Sequence, residues 1–108
     1  MQIVDWMCDK VLRHELQPDQ QIPSVREIAM ELEVNPNTVM RSIERLLQSE
    51  IIYSQRGKGN FLSANAYDKI LQMRHERLMQ ETLPQLAAEL KILGITHDDL
   101  INRLASLA

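Results

Sequence analysis

Three stretches decide the fold: Ile22-Pro23-Ser24-Val25-Arg26-Glu27-Ile28-Ala29, Val34-Asn35-Pro36-Asn37-Thr38-Val39 and Arg56-Gly57-Lys58-Gly59-Asn60-Phe61. In the first, Ser24 and Glu27 stand at capping-box spacing, each placed to satisfy an orphan backbone N–H at a helix start. In the second, Asn35 caps a further helix and Pro36 takes its first position, where a missing N–H costs nothing. Only Glu33 and Val34 separate Leu32, on the inner face of the earlier helix, from that cap, which forces a tight corner. The third is the glycine-bearing turn of a hairpin. Helix, corner, helix and basic hairpin, in that order, is the layout of a winged helix-turn-helix. The expected class is mostly α, with three helices, a small β-hairpin wing and a short C-terminal helical segment.

Working outward, Ile3, Val4, Met7, Cys8, Val11 and Leu12 form one stripe at i, i+3/i+4 spacing and predict a first helix from about Gln2 to Leu16. Gln17-Pro18-Asp19 should end it, because a residue before proline avoids helical dihedrals. Cys8 reads as a small buried hydrophobe, and Trp6 lies off the stripe, at a subunit contact or partly exposed. Val39, Ile43, Leu46 and Leu47 give the third helix its inner face, while Asn37, Arg41 and Arg45 recur every four residues on another. Ile51-Ile52-Tyr53 and Asn60-Phe61-Leu62 are the wing strands.

Beyond Ser63, Asn65 or a neighbour caps another helix bearing Tyr67, Ile70, Leu71 and Leu78, which Leu83-Pro84 should break. A following helix ends at Gly94 in a Schellman motif closed by Ile95 and Leu90. Thr96 and Asp99 repeat the capping box ahead of Leu100, Ile101, Leu104 and Leu107. The expected division is a DNA-binding domain over 1–64 and a helical dimerisation segment over 65–108. The segment has apolar stripes but too little surface to close a core of its own, so a second copy is its economical cover.

Composition agrees with a globular chain: 108 residues, 25% charged and 44% apolar. No signal peptide or membrane-length apolar run is present, and the single cysteine forms no internal disulfide, so a cytoplasmic location is expected. Net charge is −3, yet between Asn35 and Asn60 Arg41, Arg45, Arg56 and Lys58 outnumber Glu44 and Glu50. His14, His75 and His97 have no partners at ligand or triad spacing, so catalysis, metal and cofactor are not expected. No motif names a small-molecule effector.

The chemistry of the third helix suits the major groove of double-stranded DNA, whose base edges meet the N-terminal residues of an inserted helix. Asn37 suits adenine, Thr38 base or phosphate, Arg41 guanine or phosphate, and Arg45 the backbone. Arg56, Gly57, Lys58 and Gly59 suit a tip that lies along the minor groove.

Residues 22–62 resemble the DNA-binding domain of the GntR family of bacterial transcription regulators, and the layout resembles its short YtrA-type subfamily. The carrying text is Ile22 to Glu27, Val34 to Arg41 and Arg56 to Phe61. With the first helix included, the resemblance spans about 60 of the 108 residues. It implies that Arg26 contacts phosphate or base and that Gly59 sits in the wing tip. Many members carry arginines where this chain has Pro36 and Met40, so those base-reading roles do not transfer. The candidate DNA-binding set is Ser24, Arg26, Asn35, Asn37, Thr38, Arg41, Arg45, Arg56, Gly57, Lys58 and Gly59. The resemblance implies a homodimeric repressor on a near-palindromic operator, with transporter genes as plausible targets. The competing reading is a winged-helix protein–protein adaptor, to which the acidic total charge would be congenial and the Arg-bearing third helix would not.

Overall fold

The computed structural model describes residues 3–108. Its elements are α1 (Ile3–Leu12), α2 (Val25–Leu32), α3 (Pro36–Gln48), β1 (Ile52–Gln55), β2 (Gly59–Leu62), α4 (Ala66–Arg77), a π turn (Leu78–Thr82), α5 (Leu83–Leu93) and α6 (His97–Leu107). This is the mostly helical, winged architecture expected from the sequence. Two compact units divide the chain, the first ending at Gln72 and the second running from Met73 to Ala108. No helix among the described residues is long and apolar enough to cross a membrane.

The first unit is built on one core. Met7, Ile28 and Val39, from α1, α2 and α3, are fully buried, and Ile51, Ile52 and Leu62 close the core from the wing side. Ala66 and Ile70, from the first turns of α4, complete it. Trp6 is half-buried against this core, and the Lys10 ammonium lies 4.8 Å from its ring centroid.

Both proposed starts of the helix-turn-helix form as expected. Ser24 Oγ accepts the Glu27 N–H at 3.1 Å while Glu27 Oε1 accepts the Ser24 N–H at 3.2 Å. Asn35 Oδ1 accepts the Asn37 N–H at 2.8 Å, with Pro36 opening α3.

The helix ends differ from expectation. α1 stops at Leu12, four residues before Leu16, and its expected first residue, Gln2, lies outside the described residues. His14 turns to a left-handed φ of 61°. The His14 N–H then bonds Val11 O at 3.0 Å and the Glu15 N–H bonds Lys10 O at 2.9 Å, a Schellman closure with no glycine. Glu33 (φ 55°) and Glu50 (φ 59°) end α2 and α3 in the same way. Val34 N–H reaches Ala29 O at 3.1 Å, and Ile51 N–H reaches Leu46 O at 3.1 Å. Ile51 is thereby drawn into the core ahead of the strand, so β1 begins at Ile52 and runs to Gln55.

Leu83-Pro84 does not break the helix. Helical dihedrals continue through Arg77, Thr82 and Leu83, and the Leu83 N–H bonds Leu78 O, five residues back. Proline in a helix interior costs stability through its missing N–H and its clash with the carbonyl four residues before. The π turn ahead of it leaves Pro84 in the first turn of α5, where a missing N–H is tolerated. α5 ends as predicted: Gly94 is left-handed at φ 70°, and the Ile95 N–H bonds Leu90 O at 2.9 Å. α6 opens on the Thr96–Asp99 capping box.

Left-handed dihedrals cost an L-residue about 1–2 kcal/mol that glycine does not incur, against about 0.5–1 kcal/mol of extra glycine chain entropy. His14 recovers some of this by stacking on Tyr67 at 5.0 Å, and Glu50 by receiving Lys69 at 3.3 Å. Among the described residues, no such contact is seen for the Glu33 side chain. Glu33→Gly is therefore expected to raise unfolding free energy by up to about 1 kcal/mol, read as a higher denaturant midpoint at constant slope.

Candidate nucleic-acid interface

α3 presents two faces by its period. Val39, Ile43 and Leu46 point into the core. Asn37, Thr38, Arg41 and Arg45 are exposed on the outer side, where Glu44 shares the surface. Met40, not expected as a contact, is half-exposed at the flank of this face.

All eleven candidate residues are exposed, but they are not equivalent. The side-chain oxygens of Ser24 and Asn35 are engaged in capping, so both residues fix the starts of α2 and α3. Arg26 stands in the first turn of α2. No ion pair among the described residues engages Arg26, Arg41, Arg45, Arg56 or Lys58. Five cations therefore keep their donors available to an anion.

The wing is an antiparallel hairpin in the register Ile52↔Leu62, Tyr53↔Phe61, Ser54↔Asn60 and Gln55↔Gly59. Its turn is closed by the Lys58 N–H to Gln55 O at 3.0 Å, with Gly57 at φ 77° in the position where a turn requires positive φ. Arg56 and Lys58 flank that glycine at the exposed tip.

Sequence reasoning missed what holds this hairpin. Gln17-Pro18-Asp19 signals only a helix stop, yet the segment after it runs beside β2. The Asp19 N–H bonds Leu62 O at 2.8 Å, the Leu62 N–H bonds Gln20 O at 2.9 Å and the Ile22 N–H bonds Asn60 O at 2.9 Å. Tyr53 Oη donates to Asp19 Oδ1 at 2.9 Å and its ring stacks on Phe61 at 5.8 Å. The bond to Asp19 pushes the Tyr53 phenol above its ordinary pKa. Residues 20–22 are too short and polar to carry a strand signature, so no local pattern could have shown this.

Exposed arginines on a capped third helix, with a basic tip behind it, are the equipment of a DNA-binding winged helix. Residues 1–62 match the bacterial regulatory proteins of the gntR family. The chain belongs to that family. It is 33% identical over 101 residues to the HTH-type transcriptional regulator YhcF of Bacillus subtilis, covering 94% of this chain and 82% of YhcF. The HTH-type transcriptional repressor YtrA of the same organism is 31% identical over 99 residues, with 92% and 75% covered. A crystal structure of a GntR-family regulator from Bacteroides thetaiotaomicron superposes with a TM-score of 0.81 at 36% identity, covering 99% of this chain and 94% of the other. The chain is thus a DNA-binding transcription regulator of this family and not an enzyme.

Readers and positioners within the face can be separated. Arg41→Ala or Asn37→Ala should cost about 1–3 kcal/mol at the cognate site and relax base preference. Lys58→Ala should weaken cognate and random DNA alike, because phosphate contacts carry no sequence information. Competition titrations with both DNAs check this; a change of preference from Lys58→Ala alone would reverse the assignment.

Proposed function

We propose that the chain is a homodimeric repressor that binds a near-palindromic operator, with α3 as base reader and the wing on the phosphate backbone. One observation carries the dimer. Among residues 73–108 none is buried, although Ile92, Leu93, Ile101, Leu104 and Leu107 are each more than half exposed. Every residue of the hydrophobic core lies between Ile3 and Ile70. A unit of amphipathic helices with no interior is stable when another surface covers it, and contiguous exposed apolar surface marks an interaction site. α5 and α6 line an open groove of about 780 Å³ whose floor includes Leu83, Leu86, Leu90 and Leu100. A two-fold partner covers such faces on both copies at once and sets two recognition helices one DNA turn, or a multiple, apart.

Repression follows the relative YtrA, a transcriptional repressor. The resemblance to the YtrA-type subfamily makes promoters of transporter genes the first operators to try. The test is selection of bound genomic fragments with purified protein. Near-palindromic sites are expected to be enriched, with affinity falling by about 10³-fold or more between 50 and 200 mM salt if roughly 6–10 phosphates are neutralised. Enrichment of single, asymmetric half-sites or a flat salt response speaks against the proposal.

Ile101→Asp combined with Leu104→Asp places charge on the exposed stripe of α6 while leaving the first unit's core intact. The full-length variant should sediment as a monomer and bind operator more weakly by a factor of about 10² or more, since the second half-site contact is no longer linked. A wild-type chain that is monomeric at micromolar concentration would falsify the dimer.

A further inference from the structure

Within the hairpin, the wing tip is tied by the Lys58 N–H to Gln55 O bond at 3.0 Å. Lys58 lies between Gly57 and Gly59, both at positive φ, and the β1–β2 ladder stops at Gln55↔Gly59. Two glycines give such a tip more backbone freedom than other residues would, so a tie from outside the hairpin restricts it further. Such a tie is present. Gln21 Nε2 donates to Lys58 O at 2.7 Å across 37 positions of sequence.

We propose that Gln21 is the positioning residue of the wing, latching its tip so that Lys58 meets the phosphate backbone in one preset place. Two further observations point the same way. A Cβ on Gly59 would lie 2.7 Å from Gln21 Nε2, so the glycine leaves room for this amide as well as for its own dihedrals. Gln21 is itself held at its backbone, by an isolated antiparallel bridge to Phe61 and by the Ile22 N–H to Asn60 O bond at 2.9 Å next to it. The latch is thus anchored on the segment that leads directly into the capped start of α2. It ties the tip of the wing to the same frame that carries Arg26. The amide orientation is dictated by chemistry, since a carbonyl accepts and only the nitrogen end of the side chain can donate to it.

The functional half of this proposal rests on the reading of Lys58 as a phosphate contact. A pre-ordered tip loses less freedom on binding than a loose one, and the gain appears equally on any DNA because phosphate carries no sequence. Gln21→Ala removes the latch; Gln21→Met keeps the side-chain length and removes the donor without adding charge. In the free full-length protein, both variants should speed amide hydrogen exchange at Lys58 and Gly59 and leave Ile28 and Val39 protected. On DNA, each should weaken cognate and random duplexes alike by about 2–10-fold, the range of one net hydrogen bond. Lys58→Ala should then cost less in a Gln21→Ala background than alone, because a displaced lysine has little left to lose.

Unchanged exchange at the tip in Gln21→Met overturns the latch. So do additive losses for Gln21→Ala and Lys58→Ala, or losses that follow a general fall in melting temperature with exposure of core amides. A loosened tip with DNA affinity intact in every variant, Lys58→Ala included, instead overturns the reading of the wing as a DNA contact, and the functional half of the proposal with it.

Discussion

The main-chain pairing of residues 19–22 with Asn60–Leu62 is the constraint on which the proposed DNA-facing surface depends. A two-stranded hairpin with four residues per strand is marginal in water by itself. Here the connection between α1 and α2 lies along β2 and supplies three further main-chain bonds, each worth about 0.5–1.5 kcal/mol net. Ile22, on that connection, is buried, and Ile52 and Leu62 from the hairpin are buried in the same core. The wing is consequently joined to the residue pair that precedes the Ser24 cap. Positioning of helix and wing is a single structural problem with a single solution.

Short connections demand abrupt helix ends. α2 and α3 are separated by three residues, and α3 and β1 by three, so neither end has space for a gradual exit. The chain meets this with left-handed Glu33 and Glu50, whose following N–H groups return to Ala29 O and Leu46 O. The local cost is of order 1–2 kcal/mol at each. Against it stand the buried positions these turns deliver. Val34 packs against the core after the first, and Ile51 is fully buried after the second. Complete burial of one isoleucine is worth about 1.5–3 kcal/mol, so the strained turn is favourable at Ile51.

The sequence was legible where a residue type has one efficient local use. Ser24 with Glu27, Thr96 with Asp99, Asn35 before Pro36, and Gly94 each mark a helix boundary by chemistry confined to a few neighbouring residues, and each formed as read. What escaped depended on distant partners or on atypical residues in familiar roles. A left-handed His14 reads as helix because histidine marks that conformation far more weakly than glycine does, and the stack on Tyr67 that accompanies it lies over fifty positions away. Pro84 reads as a break because the cost of proline is local, whereas its placement in the first turn of α5 depends on the π turn at Leu78–Thr82. The exposed polar face of α3 could be read from period alone. Gln21 could not, since neither its type nor its neighbours announce a bond to Lys58.

The net charge of −3 at first opposes a DNA ligand, and the structure shows why it need not. Fields from exposed charges decay over about 8 Å at physiological ionic strength. Carboxylates farther from a phosphate than that contribute little to its binding, while a cation in contact contributes nearly in full. Arg26, Arg41, Arg45, Arg56 and Lys58 are exposed and outside any ion pair among the described residues, so none must break an internal partner to reach a phosphate. Glu27, Glu31 and Glu33, on and after the helix that carries Arg26, are exposed as well. Negative charge near a duplex weakens its attraction whatever the sequence, whereas base contacts add affinity at matching sites alone. On the proposed reading of α3 as base reader, an acidic body with a few exposed arginines outside any ion pair would hold random DNA weakly and draw its affinity from matching bases.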